Sequence, residues 1–372
     1  MPTTRAAEKN GATNSDKKKE DGAGSKHQIQ DKASPSPKRT KKEDDEDRIP
    51  SPTEAYGNGH VPTKSQESGS DSIDGRANGN HIQNAEQPNA RQGIVPSNIL
   101  EKGLIYFFFR GRVEITEPSN VDEIQRSYMV LRPLDKEAKL GEGTIQDAGN
   151  TRLIAVPKKV FPRSGRDRWI AFVEKSDASF KTLKDEFLSG SEYETKTKGT
   201  RHTPAVTPAA EGVYAITTTG RETHLAYMIT LPSELGEVQK DLGLKDKGSF
   251  ILSTRNPKYD APRGTALPKG PEYPKEVQDE FRNLRWLPSK PNHLDYVSTQ
   301  FLLVGESSGL EKATEPQKED EGEDKEKPVE ELEKLEDEDT HRMEDLKGDD
   351  STAIFADLDA RAKDYPKLPT TF

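Results

Sequence analysis

Of the 24 Phe, Tyr and Trp residues in this chain, 20 lie between positions 99 and 306. Tyr56 precedes that window, and Phe355, Tyr365 and Phe372 follow it. Aromatic side chains bring the largest apolar area per residue, so a stretch without them buries too little surface to offset the entropy of ordering its backbone. The expected organisation is therefore a folded domain over 99–306 between two unfolded tails, 1–98 and 307–372. Composition agrees, because only 30% of the residues are hydrophobic while 33% are charged, too polar for a 372-residue core.

Charge divides the chain along the same lines. Residues 1–98 carry 15 basic and 15 acidic side chains, 99–306 carry 31 and 29, and 307–350 carry 7 and 19. The net charge of -10 thus belongs to the C-terminal tail. A nearly neutral domain is not a general polyanion binder, since phosphate binding needs a basic face, although a local patch remains open. The absence of cysteine excludes disulfides, thiolate metal sites and cysteine nucleophiles. No apolar run reaches the length of a membrane span, and the N-terminus lacks the apolar stretch of a signal peptide, so the expectation is an intracellular protein with no membrane partner.

Two tail features carry information. Lys38, Arg39, Lys41 and Lys42 form a compact basic cluster that fits a nuclear localisation signal, giving an expected nuclear or nucleocytoplasmic location. Ser36 and Ser51 each precede proline beside this cluster, and a phosphate there would add close to two negative charges. In the acidic tail, Leu332, Leu335, Met343 and Leu346 permit a short amphipathic helix over 330–346. Like charges at helical spacing oppose it in isolation, so it is expected to need a basic partner.

Within 99–306, the run Gly103 to Val113 reads as a buried strand ended by a turn, and 127–132 and 152–156 as further strands. Gly212–Thr218 and Thr223–Thr230 flank Gly220-Arg221 as a hairpin. Trp169, Val173, Phe180, Leu183 and Phe187 recur at three- and four-residue multiples and predict a helix over 166–188. Shorter helices are expected near 233–242 and 274–284. The fold class so expected is α+β: a mainly antiparallel sheet with about three helices. An echo between Gly103-x-x-Tyr106 and Gly212-x-Tyr214 allows two related half-domains.

No catalytic, cofactor or metal constellation stands out. Gly305-Glu306-Ser307-Ser308-Gly309 matches the nucleophile-elbow pattern after a strand, but no downstream acid–histidine partnership on a parallel sheet follows it. His202, His224 and His293 lack metal-ligand spacing. Two basic groups remain as anion or partner contacts. One is Arg110 and Arg112, with Arg126 and Arg132 nearby. The other is the connector bearing Lys196, Lys198, Arg201 and His202, where cations alternate with hydroxyl residues suited to phosphate.

The segments Gly-Leu-Ile-Tyr-Phe-Phe-Phe-Arg-Gly-Arg-Val at 103–113, Glu-Thr-Lys-Thr-Lys-Gly-Thr-Arg-His at 194–202 and Ser-Glu-Leu-Gly-Glu-Val-Gln-Lys-Asp-Leu-Gly-Leu at 233–244 resemble a family of filamentous-fungal proteins labelled BTB domain transcription factors. The resemblance covers about 95–306. It implies a nuclear protein that works through protein contacts, in a form that allows a homodimer, and supplies no catalytic residue. The functional expectation is a non-enzymatic, nuclear interaction protein with protein partners. Nucleic acid is a weaker candidate partner, and a small-ligand binder or enzyme with an anion-recognising pocket is the alternative.

Overall fold

Leu104 to Phe109 places apolar side chains on both faces of one strand, and both faces are buried. A computed structural model describes residues 85–317, 320, 325–346 and 348–372. The strands are β1 (Glu86–Gln87), β2 (Ile99–Gly111), β3 (Ile124–Leu134), β4 (Lys139–Leu140), β5 (Thr151–Val156), β6 (Arg168–Ala178), β7 (Ser191–Thr195), β8 (Gly199–Thr203), β9 (Val206–Thr218), β10 (Thr223–Leu231), β11 (Lys247–Arg255), β12 (Trp286–Pro288) and β13 (Gln300–Gly305). The α-helices are α1 (Phe180–Leu183), α2 (Glu237–Asp241), α3 (Lys275–Glu280), α4 (Pro328–Asp345) and α5 (Asp350–Asp357).

The main sheet runs β10-β9-β2-β3-β5-β6-β13-β11, and β11 also pairs with β10, so eight antiparallel strands close on themselves. Closure overturns the expected α+β architecture with a sheet and half-domains. The second run of strands completes one wall begun by the first: β9 pairs with β2 along Ile99–Arg110, and β13 pairs with β6. Closure removes the exposed sheet edges that an open sheet would present.

Alternation along each strand sends one set of side chains inward and the other outward. Ile105, Phe107, Phe109, Met129, Leu131, Ile154, Tyr214, Tyr227, Phe250 and Phe301 fill the interior. At one end Phe161 and α2 close the barrel. Phe107 meets Phe161 and Tyr227 edge-on at 5.1 and 5.3 Å between ring centroids, a geometry that aromatic quadrupoles favour. At the other end Arg152 pairs with Glu101 at 2.7 Å and Asp295 at 2.6 Å, and the Tyr214 hydroxyl donates to Glu101 at 2.7 Å.

The outer wall is apolar as well. Leu104, Tyr106, Phe108, Val130, Val213 and Met228 face outward and are covered by α1, α4 and α5. A strand buried on both faces shows no period-two signal, which explains the misreading of 166–188. That stretch is instead β6 followed by the four-residue α1 and one further turn, Lys184–Leu188.

The largest departure from the sequence expectation is the acidic tail, which is folded over its described residues 325–346 and 348–372. In α4, Leu332, Leu335 and Met343 pack on the barrel wall, and Arg342 on the same face enters it fully buried. Its guanidinium meets Asp357 at 2.6 Å, Asp339 at 2.5 Å and Glu211 of β9 at 3.3 Å. Thr230 donates to Asp339 at 2.7 Å, and the Tyr106 hydroxyl donates to Asp357. A second buried group joins Glu331 to Lys102 at 2.7 Å and to Arg91 at 2.6 Å, with Arg91 also reaching Glu338 at 2.5 Å. The acidic repulsion that opposes this helix in isolation is relieved by cations from the N-terminal side of the domain.

Candidate interaction surface

The two basic groups singled out in the sequence have different fates. Arg110, at the end of β2, is buried, and its guanidinium donates to the carbonyls of Pro204 at 2.6 Å and Phe187 at 2.5 Å. It also lies over the Phe187 ring, 6.0 Å from the centroid. Arg132 is buried too, donating to the carbonyls of Pro133 at 2.9 Å and Gln146 at 2.6 Å. Arg126 sits against Tyr128 and Phe172, 3.7 Å from Glu174. These guanidiniums hold the fold together, so they do not converge on a ligand. Arg112 alone of this group is exposed.

The connector read as a loop is a β-hairpin. Strands β7 and β8 pair as Ser191↔Thr203, Glu192↔His202, Tyr193↔Arg201, Glu194↔Thr200 and Thr195↔Gly199. At its tip Gly199 has φ +70°, a left-handed conformation that costs glycine little and side-chain-bearing residues more. The Thr195 hydroxyl closes the turn, donating to the Gly199 carbonyl at 3.0 Å and accepting from the Lys198 amide at 3.0 Å.

Two attachments root this arm. Arg110 joins the chain entering it (Phe187) to the chain leaving it (Pro204). Glu114 holds the base of β8: its amide donates to the His202 carbonyl at 2.9 Å, and its carboxylate accepts from the His202 amide at 2.8 Å.

Alternation gives the arm two unlike faces. Tyr193 and Arg201 are direct cross-strand neighbours on one face, with Ser191, Thr195 and Thr203; Glu192, Glu194, Thr200 and His202 occupy the other. Tyr193 is 42% exposed, and Lys196 and Lys198 project from the tip into solvent. Among the described residues, Lys196, Lys198 and Arg201 have no carboxylate within ion-pair distance, whereas the charge of Arg112 acts on the Glu123 carboxylate. Sequence reading found the cations but missed the aromatic beside them, because Tyr193 and Arg201 become neighbours only through the hairpin register.

A depression of about 550 Å³ opens at the foot of the arm, bordered by Glu117, Glu192, His202, Lys363, Asp364 and Tyr365. Its charged lining holds three carboxylates against one lysine, which disfavours an anion, so it does not provide the anion-recognising pocket of the alternative reading.

The histidine clusters are internal. His293 is buried, and its Nδ1 accepts from the Lys290 amide, so in the neutral ring Nε2–H faces Glu280 at 3.2 Å. Thr254 and Ser289 continue this chain inward, and both hydroxyls are buried while Glu280 is the half-buried outer end. A nucleophilic relay needs the opposite arrangement, with the hydroxyl reaching substrate. Burial also pushes the His293 imidazole below its ordinary range, against the pull of Glu280. Ser307 is exposed, but Glu306 before it turns inward to His224 Nδ1 at 3.0 Å and Ser249 Oγ at 2.7 Å. Burial alone would raise the Glu306 carboxyl, yet these hydrogen bonds hold it below its usual value.

Among the described residues, no group of three or more His, Asp or Glu side chains is placed to hold a metal ion, and no helix is long and apolar enough to cross a membrane. The basic cluster Lys38, Arg39, Lys41 and Lys42 and the serines Ser36 and Ser51 lie outside the described residues. No protein-family model matches the chain, and comparisons with curated proteins and with solved structures find no match.

Proposed function

We propose that this chain is a non-enzymatic nuclear interaction protein, in which the barrel is a rigid mount and the 191–203 hairpin is the contact element. The observation that carries the reading is the pairing of a packed interior with an arm whose cations have no carboxylate partners among the described residues. Interior volume is taken up by Phe107, Phe109, Tyr214, Tyr227 and Phe250, whereas ligand sites in barrels are normally open at their mouths. The arm is held firmly at its root by Arg110 and Glu114 and exposed over Ser191–Glu194 and Lys196–Thr200, with Arg201 half-buried, the arrangement a presented contact needs.

Nuclear placement draws on Lys38, Arg39, Lys41 and Lys42 and on the resemblance to fungal proteins labelled BTB domain transcription factors. Phosphorylation at Ser36 or Ser51 would weaken the basic cluster's charge and with it import. The test is photobleaching of the fluorescently tagged full chain in cells. Replacing the four cluster residues by alanine should release the protein from the nucleus. The Lys196→Glu, Lys198→Glu, Arg201→Glu variant should stay nuclear and recover faster; recovery unchanged by that variant would remove the arm as the contact element.

A further inference from the structure

Resting on that reading of the arm, we infer that its partner is a single-stranded nucleic acid, laid along the Tyr193–Arg201 face. The chemistry on this face is that of strand binding. Arg201 lies on this face and Lys196 and Lys198 project from the tip, three cations without ion-pair partners among the described residues. Ser191 and Thr203 on the same face add hydroxyls of the kind that bond phosphate oxygens. Tyr193 supplies an exposed ring beside Arg201, and a base stacks on such a ring whatever its identity. An acidic peptide would be satisfied by the cations and would gain little from the ring.

The other face decides between single strand and duplex. A two-stranded ribbon fits the major groove of B-DNA, but both walls of that groove carry phosphates. Glu192 and Glu194 would meet one wall with like charge. A single strand touches one face only, and unstacked bases are available to Tyr193 without the energy of opening a helix. The chain's net charge of -10 opposes long-range attraction, so binding should be local and strongly salt-dependent.

The experiment is fluorescence anisotropy with a labelled 12-nucleotide oligothymidine or oligouridine, using the full chain. It is repeated on a background in which Lys38, Arg39, Lys41 and Lys42 are alanine, so that the basic cluster cannot supply the signal. Three phosphate contacts give affinity that falls on the order of 20-fold between roughly 50 and 200 mM salt. Lys196→Glu with Lys198→Glu should abolish binding at both salts. Tyr193→Ala should weaken it by about fivefold or more while Tyr193→Phe retains it, since stacking needs the ring and not the hydroxyl. Glu192→Gln with Glu194→Gln should not weaken it.

Three results would overturn the inference: no arm-dependent binding at the lower salt, equal binding by Tyr193→Ala, or displacement of the oligonucleotide by a polyglutamate of matched charge as readily as by unlabelled strand. The last would make an acidic protein segment the occupant. Any of the three, combined with arm-dependent mobility in the nucleus, would leave the contact-element reading standing and remove only its nucleic-acid form.

Discussion

Arg110 donates a 2.6 Å hydrogen bond to the carbonyl of Pro204, and the same guanidinium reaches the carbonyl of Phe187, so one buried side chain ties both legs of the arm to the end of β2. Arg110→Met keeps much of the packing against Phe187 but leaves two buried carbonyls without donors. The expected loss is about 3 kcal/mol, from charge-assisted bonds worth roughly 1.5–3 kcal/mol each. Because the wall pairs of β2 with β3 and β9 do not involve the guanidinium, the barrel should survive. Limited trypsin digestion should then cut at Lys196 and Lys198 faster than in the parent, ahead of any cut in the barrel strands.

Arg342 is the cation among Asp339, Asp357 and Glu211, all of them buried. Burial opposes its charge, but the surrounding carboxylates outweigh that and push the guanidinium above its usual range. Arg342→Met would strand those acids without a counter-ion, a change that costs about 3–5 kcal/mol in buried pairs. Denaturant unfolding should show this loss in the midpoint. The outer-wall residues Tyr106, Val213 and Met228 should become accessible to a hydrophobic dye before the barrel unfolds, since α4 and α5 cover them.

Burial, then the neighbouring Asp339 and Asp357, push the Glu211 carboxyl well above the ordinary carboxylate range. A raised folded-state value means that Glu211 contributes its stability fully at pH below about 4.5, and loses it progressively as pH rises above that point. Glu211→Gln removes the titration while keeping a similar shape and the oxygen that Arg342 approaches. Thermal midpoints of the two proteins should therefore draw apart as pH is raised from 5 to 8, with the variant increasingly the more stable. A constant difference across that range would place the raised carboxyl elsewhere in the cluster.

Gly212 of β9 has no room for a side chain, since an added Cβ would lie 2.0 Å from the Met228 carbonyl oxygen on β10. Gly103 of β2 stands in the same relation to the Arg132 carbonyl on β3, at 2.2 Å. Gly212→Ala or Gly103→Ala should force adjacent strands apart and cost more than the roughly 1–3 kcal/mol of ordinary overpacking, because the obstacle is backbone. Soluble yield and thermal midpoint read this directly. Gly220, whose added Cβ would meet nothing but whose φ is +80°, should lose less when changed to alanine.

The aromatic window of 99–306 contains every strand of the barrel, β2 to β13, because large apolar side chains must be buried wherever they occur, and their positions are local information. Cations on the arm could also be read directly. Three things depended on distant residues. Barrel closure needs β2 against β9 and β10 against β11, pairings that no hairpin signal announces. Tyr193 gains its place beside Arg201 from register alone. The acidic tail folds because Lys102 and Arg91 reach Glu331 across 229 and 240 residues, supplying the counter-charge that local repulsion makes necessary. Burial tendency is a property of each residue; charge compensation and strand partnership belong to pairs, and only the tertiary structure decides which pairs meet.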